Sequence, residues 1–204
     1  MSEVNATQVR ELRDKTGAGM MDCKKALAET GGDLEKAVVY LREKGLAAAA
    51  KRSARAASEG MVGSYIHAGG KIGVLIEVNC ETDFVARTPQ FQALVKDLAM
   101  QVAAANPRCV RREEVSPEVL EAERNICRAQ ASSSGKPAAV IEKIVDGKME
   151  KFFSDTCLLE QPFIKEPQRT VNQLVTDAIA QLGENIVVRR FARFQLGETT
   201  DKSA

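Results

Sequence analysis

Residues 61–78, MVGSYIHAGGKIGVLIEV, decide the fold. Met61–His67 and Ile72–Val78 are two runs rich in β-branched and apolar side chains, the composition that suits a pleated, half-buried strand. Between them lies Ala68-Gly69-Gly70-Lys71, and glycine reaches positive φ at no steric cost, so this is a turn. The two runs are therefore expected to pair as an antiparallel hairpin. A third strand is expected at Asn185–Leu196, where β-branched and aromatic residues recur with a two-residue period.

Upstream of the hairpin the pattern is helical. Asn5 suits an N-cap with Gln8 at N3, and Val9 and Leu12 share the following face. Thr16-Gly17-Ala18-Gly19 breaks that helix. A second helix is expected over about Met20–Glu29, with Met20, Lys24 and Leu27 along one side and one of Met20 and Met21 packed while the other is exposed. Gly31-Gly32 breaks the chain again, and Asp33 caps a third helix whose stripe is Leu34, Ala37, Val38 and Leu41 and whose end is expected at Gly45. Residues 1–45 thus read as a small three-helix domain. Residues 46–59, alanine-rich with Lys51, Arg52 and Arg55, read as a helical linker.

Residues 60–204 read as an α+β core. Phe91, Leu94, Val95, Leu98 and Val102 have helical spacing, stopped by Asn106-Pro107. Ser116-Pro117 begins a helix that runs to about Ser133. Gly135-Lys136-Pro137 separates it from another over about Ala138–Ser154. Leu158–Phe163 is expected to be extended, and Thr170–Leu182 helical. The fold class is α+β, with a roughly three-stranded antiparallel sheet and several helices.

Composition narrows the function. With 29 basic and 28 acidic residues the formal charge is +1, which offers no electrostatic footprint for direct nucleic-acid binding or for an anionic membrane. The start, MSEVNATQVREL, is charged and reads as neither a signal peptide nor an anchor. Cys23, Cys80, Cys109, Cys127 and Cys157 are scattered and never in a C-x-x-C pair, so free thiols and a cytoplasmic location are expected. There is no G-x-x-x-x-G-K-[ST] and no G-x-S-x-G. Asp22 stands where Gly17-x-Gly19 would need its third glycine for dinucleotide binding. His67 is the only histidine, leaving little for a metal site or a catalytic triad. No catalysis, no cofactor and no bound metal are expected.

The segment that stands out is Cys80-Glu81-Thr82-Asp83-Phe84-Val85-Ala86-Arg87. Thr82 and Asp83 are turn and capping types, and Phe84 follows at the exit. Two readings are open. Thr82 or Asp83 caps a helix and Phe84 plugs the core, which the pattern alone favours. Alternatively an Asp-Phe tip protrudes into a partner, as aromatic anchors often do.

Three blocks resemble the elongation factor Ts family. They are Leu12-Arg13 with Thr16–Leu27, then Glu77–Arg87, then Gly183-Glu184-Asn185 leading into Ile186–Phe191. Gly135-Lys136-Pro137 and Gln161-Pro162-Phe163 are also similar, so the resemblance spans nearly the whole chain in order. It implies a ubiquitin-associated-like three-helix fold for the first domain. It implies a guanine-nucleotide exchange factor whose partner is EF-Tu, with Asp83 and Phe84, flanked by Thr82 and Val85, entering the GTPase domain beside its Mg²⁺. Arg13, Met20 and Met21 match positions that grip that GTPase domain, and His67 matches a contact with another domain of EF-Tu. Longer family members carry two related core halves. This chain has one, and the shorter members it resembles are homodimers, which implies self-pairing through Asn185–Leu196. A different class stays open, a ubiquitin-associated-like adaptor for peptide or protein partners, although it gives Thr82-Asp83-Phe84 no role; so does an enzyme with a cysteine nucleophile and His67 as base. Capture on EF-Tu separates the first pair, and His67→Ala tests the enzyme.

Overall fold

In a computed structural model, residues 5–133 and 137–198 are described. The Gly135-Lys136 separator lies outside them. The fold is α+β, as the sequence predicts.

Helix α1 (Ala6–Thr16) opens with the expected capping box: Thr7 N–H donates to Asn5 Oδ1 at 3.0 Å, and the Gln8 side chain accepts from Asn5 N–H. It ends at Gly17, whose φ of 68° lies in the left-handed region that glycine enters freely. Helices α2 (Met20–Glu29) and α3 (Leu34–Arg52) follow, with Asp33 capping α3 through Lys36 N–H at 3.0 Å. Val9, Leu12, Cys23, Ala26, Leu27 and Ala37 form the buried cluster of this three-helix arrangement. The covered face of α2 is therefore Cys23, Ala26 and Leu27, and of the side shared by Met20, Lys24 and Leu27 only Leu27 is buried.

Helix α3 does not stop at Gly45 but continues to Arg52. Gly45 serves close approach instead of termination. A Cβ placed there would lie 3.2 Å from the Ala180 Cβ of helix α8 (Val171–Leu182). A mid-helix glycine costs about 1 kcal/mol against alanine, and here it lets two helices cross closely.

The hairpin is formed by β1 (Glu59–Ile66) and β2 (Ile72–Cys80), closed by His67 N–H donating to the Ile72 carbonyl at 2.9 Å. Strand β5 (Ile186–Gln195) completes an antiparallel sheet in the order β1-β2-β5. Central β2 buries Val74, Ile76, Val78 and Cys80 in alternation, the two-residue period of a sheet with one covered face. A single-turn helix α4 (Asp83–Ala86) leads into α5 (Pro89–Ala105), which buries Phe91, Leu94, Val95, Leu98 and Val102 as predicted.

Helices α6 (Pro117–Ser132) and α7 (Ala138–Thr156) form a hairpin around Cys127, Ala131, Val145 and Met149. Ser116 caps α6, and Arg128 pairs with Glu142 of α7 at 2.9 Å. Of the expected extended segment Leu158–Phe163, only its end is a strand. Leu158–Glu160 make a 3-10 turn, and β3 (Pro162–Phe163) pairs with β4 (Glu166–Thr170). Side-chain amides accompany this path. Buried Gln101 donates to Gln161 Oε1 at 3.0 Å and accepts from Ile164 N–H at 2.8 Å, while Gln161 donates to the Asp155 carbonyl at 3.0 Å. Buried amides left unpaired would be costly, so their partners dictate the backbone path.

The chain divides into two compact units. One comprises, of the described residues, 5–61 with Val78–Leu94 and Gln173–Val187. The other comprises, of the described residues, 62–77, 95–133, 137–172 and 188–198. No described helix is long and apolar enough to cross a membrane.

Candidate partner-binding site

Strand β2 ends at Cys80, and the next residues turn sharply. Thr82 has extended backbone, φ −130° and ψ 154°, and its Oγ1 accepts from Val85 N–H at 3.4 Å. Thr82 is thus the N-cap of α4, which the helix-cap reading anticipates. The turn closes by Thr88 N–H donating to the Val85 carbonyl at 3.0 Å. Ala86 faces inward and is buried. Phe84 faces outward and is 78% exposed. The core-plug reading of Phe84 is therefore wrong: the short α4 covers the interior with Ala86 and leaves the ring on the surface. Val85 is half-buried at the flank. The Asp83 carboxylate accepts from Arg87 Nη2 at 2.8 Å, a pair open to solvent.

This exposed turn is held from beneath. The Glu184 carboxylate, in the link between α8 and β5, accepts from Glu81 N–H at 3.1 Å and Thr82 N–H at 3.0 Å on Oε2, and from the Thr82 hydroxyl at 2.6 Å on Oε1. The grip is reciprocal: Asn185 N–H donates to Glu81 Oε1 at 2.6 Å. Buried Asn185 also donates from Nδ2 to the Arg55 carbonyl at 2.8 Å and to Ser53 at 3.4 Å, and Arg55 reaches Glu81 at 3.5 Å. Under the turn, the buried Cys80 thiol donates to the Thr82 carbonyl at 3.1 Å. Burial, with the nearby Glu184 carboxylate adding to it, pushes that thiol above its ordinary pKa, so it stays protonated as a donor.

The first unit also carries the helical residues singled out from the sequence. Arg13 is exposed on α1. Met20 and Met21 are both exposed, at 43% and 77%, which corrects the expectation that one of them packs. They occupy the first turn of α2, and helical side chains lean toward the N-terminus, so these two project at the helix end. The preceding turn is braced by Gln181 of α8, whose Nε2 donates to the Thr16 carbonyl at 2.9 Å.

The structure thus gathers Arg13, Met20, Met21 and Thr82–Val85 in one compact unit. It places His67 in the other, exposed on the β1–β2 turn with Nδ1 3.0 Å from the Tyr65 hydroxyl. Glu81, Glu184, Asn185 and Gln181 were not anticipated as working residues. The sequence signal for Glu184 and Asn185 was their membership of the Gly183-Glu184-Asn185 block. Among the described residues no group of three or more His, Cys, Asp or Glu could hold a metal ion.

A family model for elongation factor Ts matches residues 8–198 of this chain. The chain belongs to the elongation factor Ts family. It is 65% identical to elongation factor Ts of Anaeromyxobacter sp. (strain Fw109-5) over 202 residues, 99% of this chain and 92% of that protein. It is 60% identical to elongation factor Ts of Desulforamulus reducens over 99% of this chain and 93% of the relative. It is 64% identical to elongation factor Ts of Geotalea daltonii over 98% of this chain and 92% of that relative. The exposed Thr82–Val85 turn, its Glu184 clamp and the Met20–Met21 overhang all lie within the matched span of this translation-factor family.

Proposed function

We propose that this chain is a guanine-nucleotide exchange factor that binds EF-Tu carrying GDP and promotes GDP release, so that GTP can rebind. The observation that carries the reading is Phe84, an aromatic ring exposed on a turn that a carboxylate clamp holds still. A large apolar side chain left in water at the apex of an ordered turn suits insertion into a partner's pocket. Asp83 enters with it, beside the Mg²⁺ that the GTPase holds between protein and nucleotide phosphates. Disturbing that ion weakens nucleotide binding, because the metal carries much of the phosphate attraction. The factor makes and breaks no covalent bond. It works by differential affinity: a protein that prefers the nucleotide-free GTPase must itself be displaced by nucleotide, by the same factor.

Arg13, Met20 and Met21 of the first domain, residues 1–45, grip the GTPase domain, and adaptable methionines suit such a surface. His67 meets a second domain of EF-Tu. The protein acts in the cytoplasm, as a homodimer giving a two-plus-two complex, without direct nucleic-acid or membrane contact. What supports the dimer is the sheet. Strand β5 lies at its edge, and Val62, Ile66, Leu75 and Phe194 are exposed on it, an apolar set that a second copy would cover. A monomer mass by light scattering at working concentration refutes that arrangement. The exchange reading is tested by fluorescent-GDP release from EF-Tu with and without this protein. Acceleration by catalytic amounts is expected, and an unchanged rate refutes it.

A further inference from the structure

The Asp83–Phe84 turn cannot hold its own shape. Helix α4 is four residues long, and a nucleus of that length is unfavourable in water. One N-cap bond from Thr82 does not make up the difference. The Asp83–Arg87 pair is solvent-exposed and contributes little. Cys80 Sγ on the Thr82 carbonyl, Thr88 on the Val85 carbonyl and buried Ala86 add neutral contacts. The charged support is Glu184, whose single carboxylate takes both backbone N–H groups entering the turn and the hydroxyl of its cap. Charge-assisted hydrogen bonds of this kind are stronger than neutral ones.

Glu184 is itself held. Helix α8, which precedes it, crosses α3 at Gly45 and donates through Gln181 to the turn before Met20. Asn185, which follows it, is locked onto the Ser53 and Arg55 carbonyls and donates its backbone N–H to the Glu81 carboxylate. Glu184 therefore transmits a fixed position to the turn instead of following it. We propose that Glu184 is a positioning residue for nucleotide exchange: it presents Phe84 and Asp83 in one preorganised geometry, so that the partner need not order them on binding. This rests on the exchange reading above. Preorganisation raises effectiveness by removing an ordering cost, not by adding a contact.

The test is stimulated release of fluorescent GDP from EF-Tu by four full-length proteins: wild type, Phe84→Ala, Glu184→Ala and the double variant, with thermal unfolding of each. Glu184→Ala is expected to slow stimulated release about tenfold, on the scale of one lost charge-assisted interaction. The double variant is expected to lose far less beyond Phe84→Ala than Glu184→Ala loses from wild type, because Glu184 acts through the turn that carries the ring. Glu184→Gln keeps an acceptor for the two N–H groups and is expected to recover most of the rate. Should Glu184→Ala fail to fold, Glu184→Asp, which keeps the charge but draws the carboxylate back by one methylene, and its double variant with Phe84→Ala carry the same comparison. A Glu184→Ala protein as fast as wild type overturns the positioning role, and so does a loss that adds in full to that of Phe84→Ala. If wild type itself does not accelerate release, the exchange reading fails; if wild type accelerates it and Glu184→Ala does so equally, only the positioning role fails, which separates the two.

Discussion

Phe84 and Phe91 sit seven positions apart in one stretch of chain, yet Phe84 is 78% exposed and Phe91 fully buried. Had one helix run through both, that spacing would have placed them on the same face. The chain breaks instead at Thr88. Its N–H closes α4 on the Val85 carbonyl, and its hydroxyl accepts from Phe91 N–H at 3.2 Å to start α5. The break resets the helical phase, so one ring is committed to the core and the other to the surface. The lesson is that apolar character does not by itself locate a residue. The hydrogen bonds between two such residues decide which is structural and which is free to meet a partner.

The contrast can be broken or sharpened by substitution, with effects that should fall in order. Phe91→Ala removes a core aromatic and should lower stability by about 3–5 kcal/mol, read from urea unfolding midpoints. A loss below about 1 kcal/mol would mean that Phe91 is less committed to the core than its burial indicates. Replacing both Met20 and Met21 by alanine should leave unfolding nearly unchanged while weakening EF-Tu binding at least about fivefold, the scale of more than 1 kcal/mol set by interface hot spots. Titration calorimetry reads this directly, and equal affinity would remove the methionines from the interface. Thr82→Ala deletes the cap and one bond to Glu184, with an expected cost of about 1 kcal/mol in thermal unfolding. Arg87→Ala breaks a solvent-exposed pair and should cost under about 1 kcal/mol, an effect that vanishes at high salt.

Much of this arrangement was legible in the sequence because it is local. The β1–β2 hairpin follows from Gly69-Gly70 between two apolar runs, and α1 from Asn5 and Gln8 at capping-box spacing. Even the cap at Thr82 follows from residue type. What the sequence hid depends on groups far apart in the chain. Gly45 reads as a helix end until Ala180 is seen against it. The β3–β4 hairpin has poor strand composition, Glu166-Pro167-Gln168-Arg169-Thr170, and is specified by Gln101 and Gln161, sixty positions apart. Glu184 is the clearest case. A glutamate after a glycine reads as an ordinary surface charge, and its role exists only because Thr82, about a hundred positions earlier, folds onto it. The local pattern favours the wrong fate for Phe84 for the same reason. Cap-and-plug and cap-and-protrude share one residue pattern and differ in what packs beneath.

The most direct test of the central claim is the rate at which Phe84→Ala stimulates fluorescent-GDP release from EF-Tu, at a concentration of folded protein matched by its unfolding midpoint. The account predicts a midpoint equal to wild type within about 0.5 kcal/mol, as for a surface substitution, and stimulation reduced at least about thirtyfold, as for a central aromatic anchor. Stimulation equal to wild type, or a midpoint that drops as a core deletion's would, contradicts it.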